Sequence, residues 1–205
     1  EDTLSLHDAL PILTTNQVGA LSTAQVRALS TDDVKALTTD QVVALDSNQV
    51  GALSTAQVRA FTTSQIAAID TADIRAMGTA QIAALSTDQA AALTTDQIHA
   101  LTSAEVRALT TSDVKALTTD QIVALDSAQV AALSTGQIAA MGTTQVAAIE
   151  TADLAGLSTT SIRALNTDDV KALTTDQIVA LNSVQIGALS TSQVQALTTD
   201  QIVAI

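Results

Sequence analysis

Apolar residues return along this chain with a period of eight. From residue 13 to residue 204 one unit repeats twenty-four times without a gap, and Ile205 opens another copy. Residues 37–44, Leu-Thr-Thr-Asp-Gln-Val-Val-Ala, show the unit in full. Counting from that leucine, position 1 is Leu, with Phe61, Ile69, Met77, Met141 and Ile149 as replacements. Position 6 is Val or Ile apart from Ala90 and Leu154, and position 8 is Ala except Gly156. Position 2 is Ser, Thr, Asp, Asn or Gly in every unit but that of Glu150, and position 3 is only Thr or Ser. Position 5 is Gln, Asp or Glu except Ser161, while positions 4 and 7 vary most.

The polar positions set the frame. Ser, Thr, Asp, Asn and Gly are the residues that cap helix N-termini, because a short side-chain oxygen accepts from a backbone N–H of the first turn. With the cap at position 2, position 5 becomes the third helical residue and completes a capping box. Positions 1 and 6 become the two partners of a hydrophobic staple. The spacing therefore predicts one short helix per unit, running from position 3 to about position 1 of the next copy. At about 100° per residue, positions 5, 8, 1 and 6 share one arc and positions 3, 4 and 7 face outward, so Leu, Val/Ile and Ala are read as inside, with Gln at the edge.

Competing folds fare less well. In a continuous helix eight residues advance about 800°, so the apolar stripe drifts about 80° per unit and forms no seam. Thr, Val and Ile favour strands, which keeps a β-solenoid as the alternative, but positions 1, 6 and 8 do not alternate in one phase. The expected fold class is all-α: a solenoid of very short capped helices over residues 13–205, one domain as an array. A helix this short is unstable alone, so neighbouring units must share a core. The number of units per superhelical turn is left open.

Charge follows the same frame. All eight Lys and Arg sit at position 7, and acids within the array sit only at positions 2, 4 and 5. Acids thus lie at helix starts and bases at helix ends, as the macrodipole favours. Asp32–Lys35 and Asp168–Lys171 are also spaced as i,i+3 pairs. A basic-basic-valine series at position 7 recurs at Arg27/Lys35/Val43, Arg107/Lys115/Val123 and Arg163/Lys171/Val179, which reads as block duplication. A net charge of −13 argues against nucleic acid as partner, since phosphate binding needs clustered bases. No apolar run reaches the ~18 residues of a membrane span. The chain has no Cys, so thiolate metal sites and disulfides are excluded.

Candidate chemistry is sparse. His99 stands at position 7 without a second histidine in the array, and no metal site is expected. Asp32–Asp33 and Asp168–Asp169 lack the glycine-bearing spacing of a calcium loop and read as helix-start charge. No residue presents itself as a nucleophile with its base, so the expectation is no enzyme and no cofactor. The hydroxyls at position 3 are more than capping requires. If the coil has a whole number of units per turn, they form straight rows, and Thr39, Thr55, Thr63, Thr71, Thr79, Thr87 and Thr95 are the candidate surface for water, ice, glycan or protein.

Leu-Thr-Thr-Asp-Gln-Ile-Val-Ala-Leu, complete at residues 117–125 and with His99 in place of Val at 93–101, resembles the octapeptide arrays of very large bacterial surface and secreted proteins of the adhesin type. The resemblance covers residues 13–205. It implies a structural spacer in an exported protein, with flanking repeats of the same chain as its neighbours. The unit is also similar to the helix-opening Leu-Thr-Pro-Asp-Gln-Val-Val-Ala of plant-pathogen DNA-binding effectors, a likeness of capping chemistry that the acidic charge here contradicts as a DNA-binding signal. Residues 3–12, Thr-Leu-Ser-Leu-His-Asp-Ala-Leu-Pro-Ile, resemble one reading frame of a sequencing-library adapter. That makes residues 1–12 a non-native segment and the array an interior window of a longer one.

Overall fold

The structure is a computed structural model that describes residues 13–205, so the adapter-like segment lies outside the described residues. Twenty-four helices occupy them, from Thr15–Gly19 to Thr199–Ala204, and no strand occurs among them. The all-α solenoid is the fold, and the β alternative falls. Each helix is four to six residues long and opens at position 3, where the capping frame placed it. It closes one residue earlier than the spacing predicted. Position 1 is not the last helical residue but an extended corner, as at Leu53 with φ −60° and ψ 141°. The cap that follows is extended too, as at Ser54 with φ −74° and ψ 160°, so two extended residues swing the chain into the next helix.

Reciprocal capping boxes close nearly every helix start. At Thr38 the backbone N–H donates to Gln41 Oε1 at 2.8 Å, and the Gln41 N–H donates back to Thr38 Oγ1 at 3.2 Å. Gly78 and Gly142 have no side chain to accept and keep only the return half, Gly78 N–H to Gln81 Oε1 at 2.7 Å and Gly142 N–H to Gln145 Oε1 at 2.8 Å. Asp70 and Glu150 make no side-chain cap bond, and their helices, Thr71–Ile74 and Thr151–Leu154, are among the shortest.

The described residues fall into two compact units divided after Leu101. Inside each, a helix packs on the helices three places before and after it. In the first, Thr39–Val43 lies on Thr63–Ala68, which lies on Thr87–Ala92; in the second, Ser103–Ala108 lies on Ser127–Ala132, which lies on Thr151–Leu154. Three repeats, hence 24 residues, make one turn, and each compact unit has three faces. The side chains of positions 1 and 6 fill the interior, among them Ile66, Ile98, Ile138 and Ile162, all fully buried, and the single aromatic, Phe61.

Close approach between turns is set at position 7. A Cβ at Gly51 would stand 2.9 Å from the Ala76 carbonyl oxygen, a backbone atom one turn on, whereas a Cβ at Gly187 would meet nothing within 4 Å. Gly51→Ala is therefore expected to lower stability by about 1–3 kcal/mol through overpacking against fixed backbone. Gly187→Ala should raise it by about 0.5–1 kcal/mol, the ordinary helix gain of Ala over Gly. Thermal melts of the two variants side by side check both signs.

Candidate functional site

The residue that fastens the turns is the position-5 glutamine. Its polarity had set it at the edge of the core; the structure buries it as deeply as the leucines, with Gln97 and Gln129 only 1% exposed. Its Oε1 is held by the cap N–H, which aims Nε2 inward and backward. There the two amide hydrogens meet two carbonyls from earlier corners of the coil. Gln57 Nε2 donates to Val26 O and Leu29 O, both at 2.8 Å, and Gln65 Nε2 to Val34 O at 3.0 Å and Leu37 O at 2.6 Å. The partners stand 31 and 28 residues back: position 6 of the fourth helix before, and the position-1 corner that ends it.

The pattern holds in both compact units. Gln97 reaches Ile66 O at 2.8 Å and Ile69 O at 2.6 Å, the isoleucine corner serving as well as a leucine one because only its backbone is used. Gln137 reaches Val106 O at 3.0 Å and Leu109 O at 2.8 Å, and Gln201 reaches Val170 O at 2.8 Å and Leu173 O at 2.6 Å. A primary amide suits the place because it alone among side chains of this length offers an acceptor and two donors together. These carbonyls are buried helix ends, which are costly to leave without a donor. The sequence carries a signal for this: capping alone accepts Glu or Asp at the third helical position as readily as Gln, yet Gln holds seventeen of the twenty-four copies.

The acidic replacements show what the slot requires. Asp73 receives the hydroxyl of Ser47, 26 residues back, on Oδ1 at 2.6 Å, and Asp153 receives that of Ser127 in the same way. Asp113 takes the hydroxyl of its own cap, Thr110, at 2.6 Å. Glu105 keeps the capping half, accepting from the Thr102 N–H at 2.6 Å. Burial raises the Asp73 carboxyl above its ordinary value, the Ser47 hydroxyl opposes that, and the charges of Asp70 and Asp46 add to it.

The seven candidate threonines are all exposed. Three repeats per turn divide them among the three faces of the first compact unit rather than gathering them on one. Thr39, Thr63 and Thr87 share a row, Thr55 and Thr79 a second, Thr71 and Thr95 a third. None of the seven hydroxyls makes a hydrogen bond among the described residues. Three of the four position-3 serines behave differently: Ser47 and Ser127 serve the aspartates above, and Ser103 Oγ donates to Ala128 O at 3.2 Å.

The charged positions are mostly outward. Arg27 Nε donates to Ala52 O at 3.0 Å and Arg163 Nε to Ala188 O at 2.8 Å, so each arginine covers a helix C-terminus one turn on. Twenty-four residues on, at the same position of the unit, both have a glycine, Gly51 and Gly187; Arg59 and Arg107 have Ala83 and Ala131 there and make no such bond. Asp168 and Lys171 close at 3.8 Å on the surface. In each adjacent Asp pair the first residue is exposed and the second, Asp33 or Asp169, is buried, so the two carboxylates diverge. Among the described residues no group of three or more metal-ligating side chains gathers. His99 is exposed at position 7. No described helix is long and apolar enough to cross a membrane.

Shallow grooves mark the surface of the described residues. One of about 480 Å³ lies over Gly51, between Thr23, Arg27, Ser47 and Asn48. Another of about 410 Å³ is lined by Glu150, Thr151, Thr174 and Asp176.

A family model described as the ALTTAQ repeat matches the chain seven times in tandem, at residues 10–47, 42–71, 66–103, 98–127, 121–148, 146–183 and 179–205. No curated protein matches it.

Proposed function

The chain belongs to the ALTTAQ repeat family, and from that premise we propose that its array is a structural spacer in a large exported bacterial protein of the adhesin type, without catalysis of its own. The observation that supports this reading is the sameness of the joint. Each eight residues add one helix and, in seventeen of the twenty-four copies, one glutamine, which fastens to corners already formed, so lengthening the array needs no new contact type. Repeat arrays whose units touch only near neighbours extend in this additive way.

The test is to insert 24 residues, a copy of 37–60, and measure the maximum dimension by small-angle scattering. The expected result is growth by about 8–10 Å, one helix-packing distance, with no fall in melting temperature. An insert that lowers the melting temperature by ten degrees or more, or leaves the dimension unchanged, sinks the spacer reading. Export is tested separately, by protease shaving of intact cells expressing the parent protein.

A second reading follows from the threonines. Their hydroxyls are exposed and unengaged by the protein, and they recur at a fixed spacing along each face. This suits a repetitive binding surface for ice, glycan or protein. Ice-recrystallisation and glycan-array assays with no signal above a Thr→Val version of the row Thr39, Thr63 and Thr87 remove its first two forms.

A further inference from the structure

One joint in the ladder keeps a buried oxygen without a partner. Asp169 is 1% exposed, and its Oδ1 is buried with no hydrogen-bond partner. Its Oδ2 accepts from the Asn166 N–H at 3.0 Å, just as the glutamine Oε1 does in other units. In the glutamine units the other side-chain atom serves the carbonyls 28 and 31 residues back, which for this position are those of Met141 and Ile138. In the preceding and following rows Gln145 and Gln177 serve such carbonyls at 2.7–3.1 Å. An ionised Asp169 carboxylate has only acceptors to offer such carbonyls.

The remedies used at the other aspartates are missing here. The residue 26 back is Thr143, where Asp73 and Asp153 have Ser47 and Ser127. Its β-branched side chain is stiff about χ1, and its hydroxyl is not turned onto the carboxylate. The cap is Asn166, whose side-chain oxygen is itself an acceptor, engaged by the N–H groups of Asp168 and Asp169. We propose that Asp169 is a proton-operated joint: protonated, Oδ1 donates to the carbonyls that glutamine serves elsewhere; ionised, it leaves that turn of the coil unfastened.

The surroundings suit this role. The helices packed on Thr167–Ala172 are Thr143–Ala148 and Thr191–Ala196, and neither carries a titratable side chain; nor does Thr135–Ala140, which ends at the Met141 corner. The only charged groups on its own helix are Asp168 and Lys171, paired with each other on the surface. Burial raises the Asp169 carboxyl above its ordinary 3.8, the Asn166 N–H opposes this, and the Asp168 charge adds to it. The folded joint therefore binds its proton at higher pH than the unfolded chain does. Its stabilising effect is complete below the unfolded value and is lost as pH rises through the folded one.

Hydrogen exchange of the whole chain, read by mass spectrometry at pH 4.5 and 7.0 and corrected for intrinsic rates, tests this. Peptides spanning residues 138–146 and 166–172 should be better protected at the lower pH, by about twofold or more. Asp169→Gln should hold that protection at both pH values, and Thr143→Ser should raise it at pH 7.0 by supplying a hydroxyl donor. The proposal is overturned if Asp169→Gln keeps the wild-type pH dependence in these peptides. It is equally overturned if sodium or calcium chloride restores protection at pH 7.0, which would make the occupant a cation rather than a proton.

Discussion

Gln137→Ala is expected to destabilise the second compact unit by about 4 kcal/mol, the sum of a lost capping acceptor and two buried carbonyls deprived of donors. Val106 O and Leu109 O now receive its amide at 3.0 and 2.8 Å, and Ser134 N–H donates to its Oε1 at 2.8 Å. Alanine supplies none of these atoms. Gln137→Glu separates the two roles. The carboxylate keeps the capping bond, as Glu105 does, but turns an acceptor toward the two carbonyls. At neutral pH it should retain the helix start and lose most of the remaining stability. Urea titrations followed by circular dichroism measure both. If Gln137→Glu is as stable as wild type at pH 7, the backward bonds contribute nothing and the ladder is ornament.

The second large effect lies one residue further along the unit. Ile66 is fully buried between turns of the first compact unit. Ile66→Asp places an unpartnered carboxylate there and is expected to cost about 5 kcal/mol or more, the range reserved for buried unpaired charge. Ile66→Val should cost only about 0.5–1.5 kcal/mol, in line with the valines that occupy the same position in many copies. A melt of Ile66→Asp in which the first compact unit retains its wild-type transition would contradict the core described here.

How much of this was legible in the sequence follows from range. Cap, capping box and staple connect residues no more than five apart, so Thr38, Gln41 and Val42 reveal a helix start on sight. Three repeats per turn were not legible, because they depend on how two extended residues such as Leu53 and Ser54 aim the next helix, and no side-chain pattern encodes that angle. The second role of glutamine was hidden for the same reason: Gln57 meets Val26 and Leu29 only once the turn is known. The arc argument set Gln at the edge because it weighed hydrophobicity alone. The threonines were expected to line up only if a turn held a whole number of units; with three per turn, Thr39, Thr55 and Thr71 fall on three different faces. Asp169 looked like helix-start charge beside Asp168; its isolation became visible only when Thr143 proved to be the residue facing it.

The direction of the glutamine bonds has a consequence for the ribosome. Every amide described reaches toward the N-terminus, to carbonyls 28 to 31 residues earlier. When a given glutamine leaves the exit tunnel, its acceptors have already emerged and turned. A nascent chain can therefore fasten each glutamine behind the tunnel mouth one octad at a time, and these bonds never have to wait for sequence not yet translated.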